Sequence, residues 1–314
     1  MKRENVSAIV VTYNRKNLLI ECLEALRKQT RPIQGIYLID NASTDGTPEF
    51  LLEKGYLKEL PPQELLSEPW EKEFEINNLT DGNTIKLHYV RMHENTGSAG
   101  GFHEGVKRAY EKGYDWLWLM DDDGRPEKDC LEKQMPDKSD VVTGPYILDP
   151  KSGEVVYDFE KYEKFPYKSK LNIIRNYYPI TIPFNGFLLS SEVVKKVGLP
   201  ERNLFYMSDD VEYSYRIIRN GFKIQIKKDA IFYHPPRKPY KYLGETRTYF
   251  IVRNRLYTIL KYYGFGLKFL KNLFKFIYFV FIGHLKLRVL YIGLMDCLRN
   301  KWRNYDEVKQ IFDS

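Results

Sequence analysis

Five apolar residues run directly into three carboxylates in the stretch Trp116-Leu117-Trp118-Leu119-Met120-Asp121-Asp122-Asp123. An apolar run of this length predicts a strand that is buried on both faces, as the strands of a parallel sheet are. Three adjacent carboxylates repel one another unless a cation or solvent offsets their charge. Asp121 and Asp123 can point to the same side of a turn, and such oxygen ligands suit Mg²⁺ or Mn²⁺. The alternative is a solvated acidic turn that caps a helix near Pro126.

Strands and helices alternate upstream of this stretch. Apolar runs of strand length occupy Ala8–Val11 and Gly35–Asp40, and apolar residues at helical spacing occupy Leu18–Gln29 and Phe102–Lys112. This alternation predicts an α/β fold of the Rossmann-like kind, with a mostly parallel central sheet flanked by helices. Ligands of such sheets bind beyond the carboxyl ends of the strands, where we expect Asp40 and the three consecutive aspartates to lie.

Residues 55–85 interrupt this alternation. Prolines punctuate the segment, and Thr80-Asp81-Gly82-Asn83 is a turn sequence. The turn predicts a hairpin between Phe74–Leu79 and Thr84–Val90. We therefore interpret 55–85 as an insertion into a sheet domain that extends over residues 1–240.

Composition excludes several classes of protein. The chain has 314 residues, 43% of them hydrophobic and 29% charged, with a formal net charge of +7, which excludes a mainly disordered chain. Cys22, Cys130 and Cys297 lie far apart and predict reduced thiols in a cytosolic protein. No apolar run reaches the ~18 residues of a spanning helix. The first apolar run is also too short for the core of a signal peptide.

The tail, residues 241–314, predicts a C-terminal helical extension. Between Lys261 and Arg303 nine residues are Lys or Arg and one, Asp296, is acidic. Aromatic and aliphatic residues alternate with lysines there, a pattern typical of helices that lie in the headgroup layer of a membrane. We expect residues 261–303 to place the protein peripherally on the inner face of the cell membrane. The alternative is a helix that packs on the sheet domain with its lysines in water.

A glycine-rich segment, Asn95-Thr96-Gly97-Ser98-Ala99-Gly100-Gly101-Phe102, opens a predicted helix. Glycines let a backbone approach a ligand closely, and the N-terminus of a helix attracts phosphate. The segment is neither a dinucleotide-binding fingerprint nor a phosphate-binding loop of the Gly-Lys-Ser/Thr type. His93 and His103 flank it and are further candidates for ligand contact.

Two later features carry candidate chemistry. Asp209 and Asp210 precede a predicted helix over Tyr213–Asn220, so either can cap that helix, and Asp210 can also act as a general base. His234 follows the strand-like run Ile231–Tyr233. Its imidazole is either structural or part of a metal site.

In this order, these features resemble the inverting family 2 glycosyltransferases of the GT-A fold. The resemblance covers about residues 5–240 and implies that Val10–Asn14 and Ile39–Thr47 face the nucleotide, with Asp40 as the uracil or ribose contact. The nucleotide-sugar contacts that it implies are Thr12, Tyr13, Asn14, Asp40, Asn95, Gly97, Gly100, Gly101 and Asp122.

The same resemblance implies the catalytic machinery. Asp121, Asp123 and His234 would hold Mn²⁺ or Mg²⁺, and Asp210 would be the catalytic base. The implied acceptor-side residues are Asn185, Gly186 and Asp209.

Three segments are most similar to the galactofuranosyltransferase branch of the family, which uses UDP-galactofuranose. They are Asn95–Phe102, Trp118–Asp123 and Arg247–Asn254. Rhamnosyltransferases that use dTDP-rhamnose share much of this layout, so both donors stay open. The implied acceptor is a glycan or lipid-linked glycan of a bacterial surface polysaccharide, and the protein is a candidate homo-oligomer.

Two alternatives come from other functional classes. A nucleotidyltransferase would need a basic glycine-rich loop near its N-terminus, and Asn14-Arg15-Lys16 is a poor substitute. The other is a non-catalytic carbohydrate- or nucleic-acid-binding protein, suggested by the positive charge and the aromatic residues. The basic residues concentrate in the tail and no nucleic-acid-binding motif is present, so we expect no nucleic-acid partner.

Overall fold

A computed structural model of the protein describes residues 4–157, 181–236 and 242–313. The strands are β1 (Val6–Thr12), β2 (Gly35–Asp40), β3 (Trp70–Asn77), β4 (Thr84–Arg91), β5 (Trp116–Asp121), β6 (Arg125–Pro126), β7 (Val141–Leu148), β8 (Phe187–Ser190) and β9 (Lys223–Tyr233). The helices are α1 (Lys16–Arg27), α2 (Thr47–Glu53), α3 (Gly97–Glu111), α4 (Cys130–Gln134), α5 (Ser191–Val197), α6 (Asp209–Arg219), α7 (Glu245–Tyr263), α8 (Leu267–Phe281), α9 (Leu287–Leu298) and α10 (Tyr305–Asp313).

The nine strands of the described residues form one sheet in the order β3-β4-β2-β1-β5-β8-β7-β9-β6. In the first half of the sheet β4, β2, β1 and β5 are parallel, as the alternation of strands and helices predicts. Thr12 is paired with Asp40, and Val11 is paired with Asp121. The register therefore brings the ends of three strands, with their polar residues, to one edge of the sheet.

The second half of the sheet is mixed, in contrast to the parallel strands β4, β2, β1 and β5. Strand β8 is antiparallel to both of its neighbours, β5 and β7, and β6 is antiparallel to β9. Strands β7 and β9 are parallel to each other. The reason for the change is that Phe187 enters the sheet beside Leu119, at the carboxyl end of β5, so β8 must run in the opposite direction.

The predicted hairpin is confirmed by antiparallel pairing of β3 with β4 around a turn at residues 78–83. Phe74 and Ile76 of β3 are buried, and the charged residues of the strand are exposed or half-buried. Charged side chains on an outer strand discourage pairing with another chain.

Hydrophobic clusters cover both faces of the sheet. Ala8 and Val10 belong to one cluster, whereas Ile9 and Val11 belong to the other. Successive residues of a strand point to opposite faces, so the apolar run of β1 is buried completely. This explains why the sequence shows a continuous apolar run there instead of alternation.

A third hydrophobic cluster joins helices α7, α8, α9 and α10, which confirms a C-terminal helical extension. The predicted domain boundary, at residues 240 and 241, lies outside the described residues. Within the described part of the chain, none of the helices combines the length and the apolar character needed to cross a bilayer.

Candidate active site

The residues predicted to bind metal come together at the carboxyl end of β5. Asp121, Asp123 and His234 each offer one ligand atom, and these atoms lie within 4.8 Å of one another. Strand β6 follows the aspartates directly and pairs with the end of β9, with Arg125 opposite Tyr233. This pairing carries His234 to the aspartates, and His234 Nε2 lies 3.2 Å from Asp123 Oδ1.

Asp122, between the two predicted ligands, is buried and bonded within the protein. Its Oδ2 accepts a hydrogen bond of 2.7 Å from the Thr12 hydroxyl, and its Oδ1 lies 3.0 Å from Arg15 Nη1. Burial raises the pKa of Asp122 to about 6, although Arg15 and Thr12 oppose this effect. A role of Asp122 in donor binding therefore stays a prediction, and its contacts in this structure are with the end of β1.

Arg15 is a member of this cluster that the sequence analysis missed. Its Nη1 lies 3.0 Å from Asp122 Oδ1 and 2.9 Å from Asp123 Oδ2. The predicted topology could have identified it, because β1 and β5 are parallel neighbours and the residues that follow the two strands lie at the same edge of the sheet. Its guanidinium supplies positive charge to a group of adjacent carboxylates.

The charge balance of the cluster fits a divalent cation. Burial, together with the charges of Asp123 and Asp122, raises the pKa of Asp121 well above its usual value. At Asp123 the effect of burial is outweighed by His234 and Arg15, which lower its pKa. His234 Nδ1 is buried without a hydrogen-bond partner in the described part of the chain. Two carboxylates and an imidazole form a donor set that Mn²⁺ or Mg²⁺ accepts, so the residues present fit the predicted ion.

The predicted nucleotide-facing residues lie at the same edge of the sheet. Asp40 is fully buried at the end of β2, where its carboxylate accepts hydrogen bonds from the Tyr89 hydroxyl (2.6 Å) and the Ser43 amide (2.8 Å). Asn14 accepts a 2.7 Å hydrogen bond from the Thr44 amide, which joins the loops after β1 and β2. Tyr13, beside it, is exposed. Their contacts with a nucleotide remain predictions.

The glycine-rich segment is the first turn of α3, which begins at Gly97 and not at the predicted Phe102. A Cβ on Gly101 would lie 2.6 Å from a methyl carbon of Val11, and one on Gly97 would lie 2.0 Å from the Phe205 carbonyl oxygen. These two glycines therefore allow close packing within the protein. Asn95 accepts a 3.0 Å hydrogen bond from the Gly97 amide and so holds the start of the helix.

The two predicted base-side aspartates open α6, which begins four residues before the predicted Tyr213. Both are buried, and Asp209 accepts a 3.2 Å hydrogen bond from the Ser98 hydroxyl at the start of α3. Burial and the adjacent Asp210 raise the pKa of Asp209 to about 7. Asp210 accepts a 2.7 Å hydrogen bond from the Val211 amide.

The two groups of aspartates lie near enough to interact, because Asp209 is one of the charges that raise the pKa of Asp121. Asn185 and Gly186, predicted on the acceptor side, immediately precede β8, and Gly186 donates a 2.9 Å hydrogen bond to the Leu119 carbonyl oxygen in β5. Asn185 Oδ1 is buried without a partner among the described residues. The structure thus collects the predicted donor, metal, base and acceptor residues around one end of the sheet.

The flanking histidines have contacts within the protein. His103 Nδ1 lies 2.7 Å from the Pro200 carbonyl oxygen, and His93 Nε2 lies 3.6 Å from a carboxylate oxygen of Glu94. Their roles as ligand contacts remain candidate assignments.

The model of the family described as "Glycosyl transferase family 2" matches residues 7–59 and 73–197, which is more than half of the chain. The chain belongs to glycosyl transferase family 2. It is therefore a glycosyltransferase, as the order of its motifs predicts. The gap between the two matched segments, residues 60–72, lies within the predicted insertion at 55–85.

Two named branches of glycosyltransferases contain relatives of this family 2 protein. It is 27% identical over 289 residues to galactofuranosyltransferase GlfT1 of Mycolicibacterium smegmatis, covering 82% of this chain and 83% of that protein. The corresponding protein of Mycobacterium tuberculosis is 27% identical over 245 residues, covering 74% and 70%. The dTDP-rhamnosyl transferase RfbF of Shigella flexneri is 25% identical over 156 residues, covering 48% and 52%.

Solved structures confirm the GT-A fold. The mannosyltransferase PcManGT of Pyrobaculum calidifontis, in complex with GDP-Man and Mn²⁺, aligns with a TM-score of 0.55 and 17% identity, covering 85% of this chain and 66% of that chain. TarS of S. aureus, in complex with UDP, aligns with a TM-score of 0.52 and 17% identity, covering 82% and 65%. This family 2 chain thus spans about two thirds of each of those solved structures.

Proposed function

We propose that this glycosyltransferase transfers a sugar from a nucleotide sugar to a hydroxyl of a glycan, with inversion at the anomeric carbon. The observation that carries the proposal is that two groups of aspartates, 121–123 and 209–210, lie near enough for their charges to interact. A metal site and a separate carboxylate base are the two parts that such a displacement needs.

The first group of aspartates would hold the leaving group. Asp121, Asp123 and His234 would bind Mn²⁺ or Mg²⁺, which supplies positive charge to the departing diphosphate. Asp40 and Asn14 keep the loops after β2 and β1 in place for the nucleotide. Holding donor and acceptor in line supplies a large share of the rate enhancement.

The second group would activate the acceptor. In the proposed step Asp210 takes the proton of the acceptor hydroxyl as its oxygen attacks the anomeric carbon, and the nucleotide diphosphate departs from the opposite face. With a pKa of about 7, Asp209 holds a proton for part of the time at neutral pH.

We propose UDP-galactofuranose as the donor, and a glycan or lipid-linked glycan of a bacterial surface polysaccharide as the acceptor. The support is the extent of similarity, because the match with GlfT1 covers up to 83% of that protein whereas the match with RfbF covers 52%. Rhamnosyl transfer from dTDP-rhamnose is the second candidate. The three segments that resemble the galactofuranosyltransferase branch favour the first.

A panel of nucleotide sugars tests this proposal. Wild-type protein and the Asp210→Asn variant are incubated with Mn²⁺, a glycan acceptor, and UDP-galactofuranose, dTDP-rhamnose or UDP-GlcNAc, and products are identified by mass spectrometry and NMR. We expect product from UDP-galactofuranose, with inverted anomeric configuration, in the wild type alone. Turnover of dTDP-rhamnose instead would overturn the donor assignment. Binding without turnover of any donor would indicate a carbohydrate-binding protein.

We also propose that the tail lies on the inner face of the cell membrane. Helix α8 and its flanks expose large apolar side chains, among them Phe274 (65% exposed) and Phe281 (88%), next to the exposed Lys271 and Lys275. Contiguous apolar and basic surface of this kind suits an anionic lipid headgroup layer. Only part of α8 is buried against the other helices, which disfavours pure intramolecular packing.

Vesicle flotation tests the membrane proposal. The Phe274→Ser/Phe281→Ser variant is expected to lose binding to phosphatidylserine-containing vesicles. The Leu65→Ser/Leu66→Ser variant changes two exposed residues outside the tail and serves as the control, with binding unchanged. Equal flotation of both variants would refute the proposal.

A further inference from the structure

A strained segment, residues 204–208, precedes Asp209 and Asp210. Phe205 has φ 60° and ψ −63°, and the Tyr206 amide donates a 2.7 Å hydrogen bond to the Leu204 carbonyl oxygen, which together form a γ-turn of the rare positive-φ kind. Met207 (φ 66°) and Ser208 (φ 71°) also lie in the left-handed region. Residues that carry a Cβ rarely adopt this left-handed conformation, so the surrounding structure must hold the segment in place.

Helix α7 supplies the groups that hold it. The side-chain nitrogen of Asn254 lies within hydrogen-bond distance of three carbonyl oxygens, those of Leu204 (2.7 Å), Tyr206 (2.8 Å) and Met207 (2.8 Å), which share its two N–H groups. Its own oxygen accepts a 2.7 Å hydrogen bond from Arg253 Nε. One amide group therefore bonds three carbonyls of the strained segment.

Arg253 extends this set of contacts. Its Nη2 donates to the carbonyl oxygens of Leu204 (3.0 Å) and Asn203 (3.3 Å). Arg253 and Asn254 are both completely buried or nearly so. Burying a guanidinium and an amide is unfavourable unless hydrogen bonds compensate it. The acceptors of Arg253 Nη2 and of the Asn254 amide are carbonyl oxygens of residues 203–207, whereas Arg253 Nη1 is buried without a hydrogen-bond partner among the described residues.

The other side of the segment touches the start of α3. The Phe205 carbonyl oxygen accepts a 3.1 Å hydrogen bond from the Ala99 amide and occupies the space that a side chain at Gly97 would need. Ser98, between these two residues, donates to Asp209. The segment 204–208 therefore connects three elements, namely α7, the glycine-rich start of α3, and the aspartates of α6.

We propose that Asn254, supported by Arg253, is a positioning residue for glycosyl transfer. Its amide holds 204–208 in the strained conformation that places Asp209 and Asp210 beside the start of α3. The inference rests on the function proposed above, because it assumes that these aspartates serve the acceptor. It makes the helical tail a functional part of the active site as well as a membrane contact.

The test compares two buried asparagines of the tail. Asn254→Leu removes the three hydrogen bonds to the segment, and Asn272→Leu removes an amide that donates within α8 and accepts from Arg255. We expect Asn254→Leu to lower kcat by about 30- to 100-fold, since small misplacements of reacting groups have effects of this size. The KM for the donor, and the melting-temperature shift with UDP and Mn²⁺, should stay within about 3-fold and a few degrees of wild type. The Asn272→Leu control should keep kcat within about 3-fold even where its melting temperature falls.

Two further variants distinguish positioning from general stability. Ser208→Gly makes the left-handed conformation accessible without strain, so adding it to Asn254→Leu should recover kcat by several-fold. If Asn254→Leu does not fold, Asn254→Gln, whose amide is displaced by one methylene, should lower kcat by about 10-fold at an unchanged donor KM.

Wild-type kcat in either folded Asn254 variant, or an equal loss in Asn272→Leu, would overturn the positioning role alone. A wild-type protein that turns over none of the nucleotide sugars would instead overturn the proposed function, and the inference with it.

Discussion

The two groups of aspartates are held in different ways. Residues 121–123 follow a central strand, and strand pairing on both sides sets their position. Residues 209–210 follow a strained segment that side chains of a helix more than 40 residues later hold in place. The first group therefore depends on a main-chain ladder that many sequences can form, whereas the second depends on particular side chains.

This difference predicts which changes each group tolerates. A ladder distributes its hydrogen bonds over many residues, so after one substitution on a strand the remaining bonds still fix the position of the aspartates 121–123. A positive-φ segment has a sparsely populated backbone conformation, so the loss of one partner releases it. We expect the metal site to persist in variants that lose the base geometry.

The largest expected effect separates the two groups by function. Asp210→Asn should lower turnover by about 10³-fold or more, because the acceptor proton loses its base, while affinity for UDP with Mn²⁺ stays within a few-fold. Steady-state kinetics and a melting-temperature shift with UDP and Mn²⁺ measure the two quantities. Normal turnover in this variant would remove Asp210 from the mechanism.

Removal of metal tests the first group in the complementary way. Chelation with EDTA should abolish turnover, and Mn²⁺ or Mg²⁺ should restore it, because two carboxylates and an imidazole converge there. Asp123→Asn should weaken metal-dependent UDP binding as well as turnover, unlike Asp210→Asn. Full activity after thorough chelation would contradict the metal assignment.

A smaller effect probes the contact between the groups. In Gly97→Ala the new Cβ would lie 2.0 Å from the Phe205 carbonyl oxygen, which cannot move without displacing the strained segment. We expect a loss of about 2–4 kcal/mol in the free energy of unfolding, and a fall in kcat.

Gly113→Ala is the matched control, because Gly113 also has a positive φ (+88°), but a Cβ added there would meet no atom of the described residues within 4 Å. It should lose only the left-handed strain, about 1–2 kcal/mol, with kcat unchanged. Equal effects of the two substitutions would show that the Phe205 contact is unimportant.

The smallest expected effect is a dependence of stability on pH. Asp209 has its pKa raised to about 7 from an ordinary 3.8, so the folded state retains a proton that the unfolded state releases. The contribution of Asp209 to the free energy of unfolding is therefore largest below about pH 4 and decreases as the pH rises to about 7.

Asp209→Asn should remove about 1–4 kcal/mol of that decrease in metal-free protein, where Asp122, with a pKa of about 6, contributes in the same direction. Denaturant melts at pH 5 and pH 7.5 measure the change. A variant with the same pH dependence as wild type would show that Asp209 is ionised throughout.

Much of the first group was predictable from sequence. The apolar runs of β1, β2 and β5 predict buried parallel strands, and the polar residues after them must then meet at one edge. The position of His234 after a strand-like run left it either structural or a metal ligand, and the family resemblance chose the second. Its approach to the aspartates was not predictable, because it depends on a two-residue strand, Arg125–Pro126, that has no hydrophobic period. Arg15 was missed because nothing local marks a surface arginine as the partner of carboxylates more than 100 residues away.

Less of the second group was predictable. The sequence indicated that Asp209 and Asp210 open a helix, but no local signal places Phe205, Met207 and Ser208 at positive φ, because none of them is glycine. The Arg253-Asn254 pair was recognised only as part of a family resemblance, without a contact. A hydrogen bond between a side chain and the backbone of a distant segment produces no periodic pattern in the sequence around either partner.

The amino-acid sequence alone therefore determined the strands β1 to β5, the burial of the central ones and the edge at which the polar residues gather, because hydrophobic period and turn chemistry are local properties. Only the tertiary structure decided that β8 is antiparallel, that Arg15 joins the acidic cluster, and that Asn254 holds the segment before the aspartates. Each of these depends on the distance between groups remote in the chain, and that distance exists only after the sheet and the helical tail have packed together.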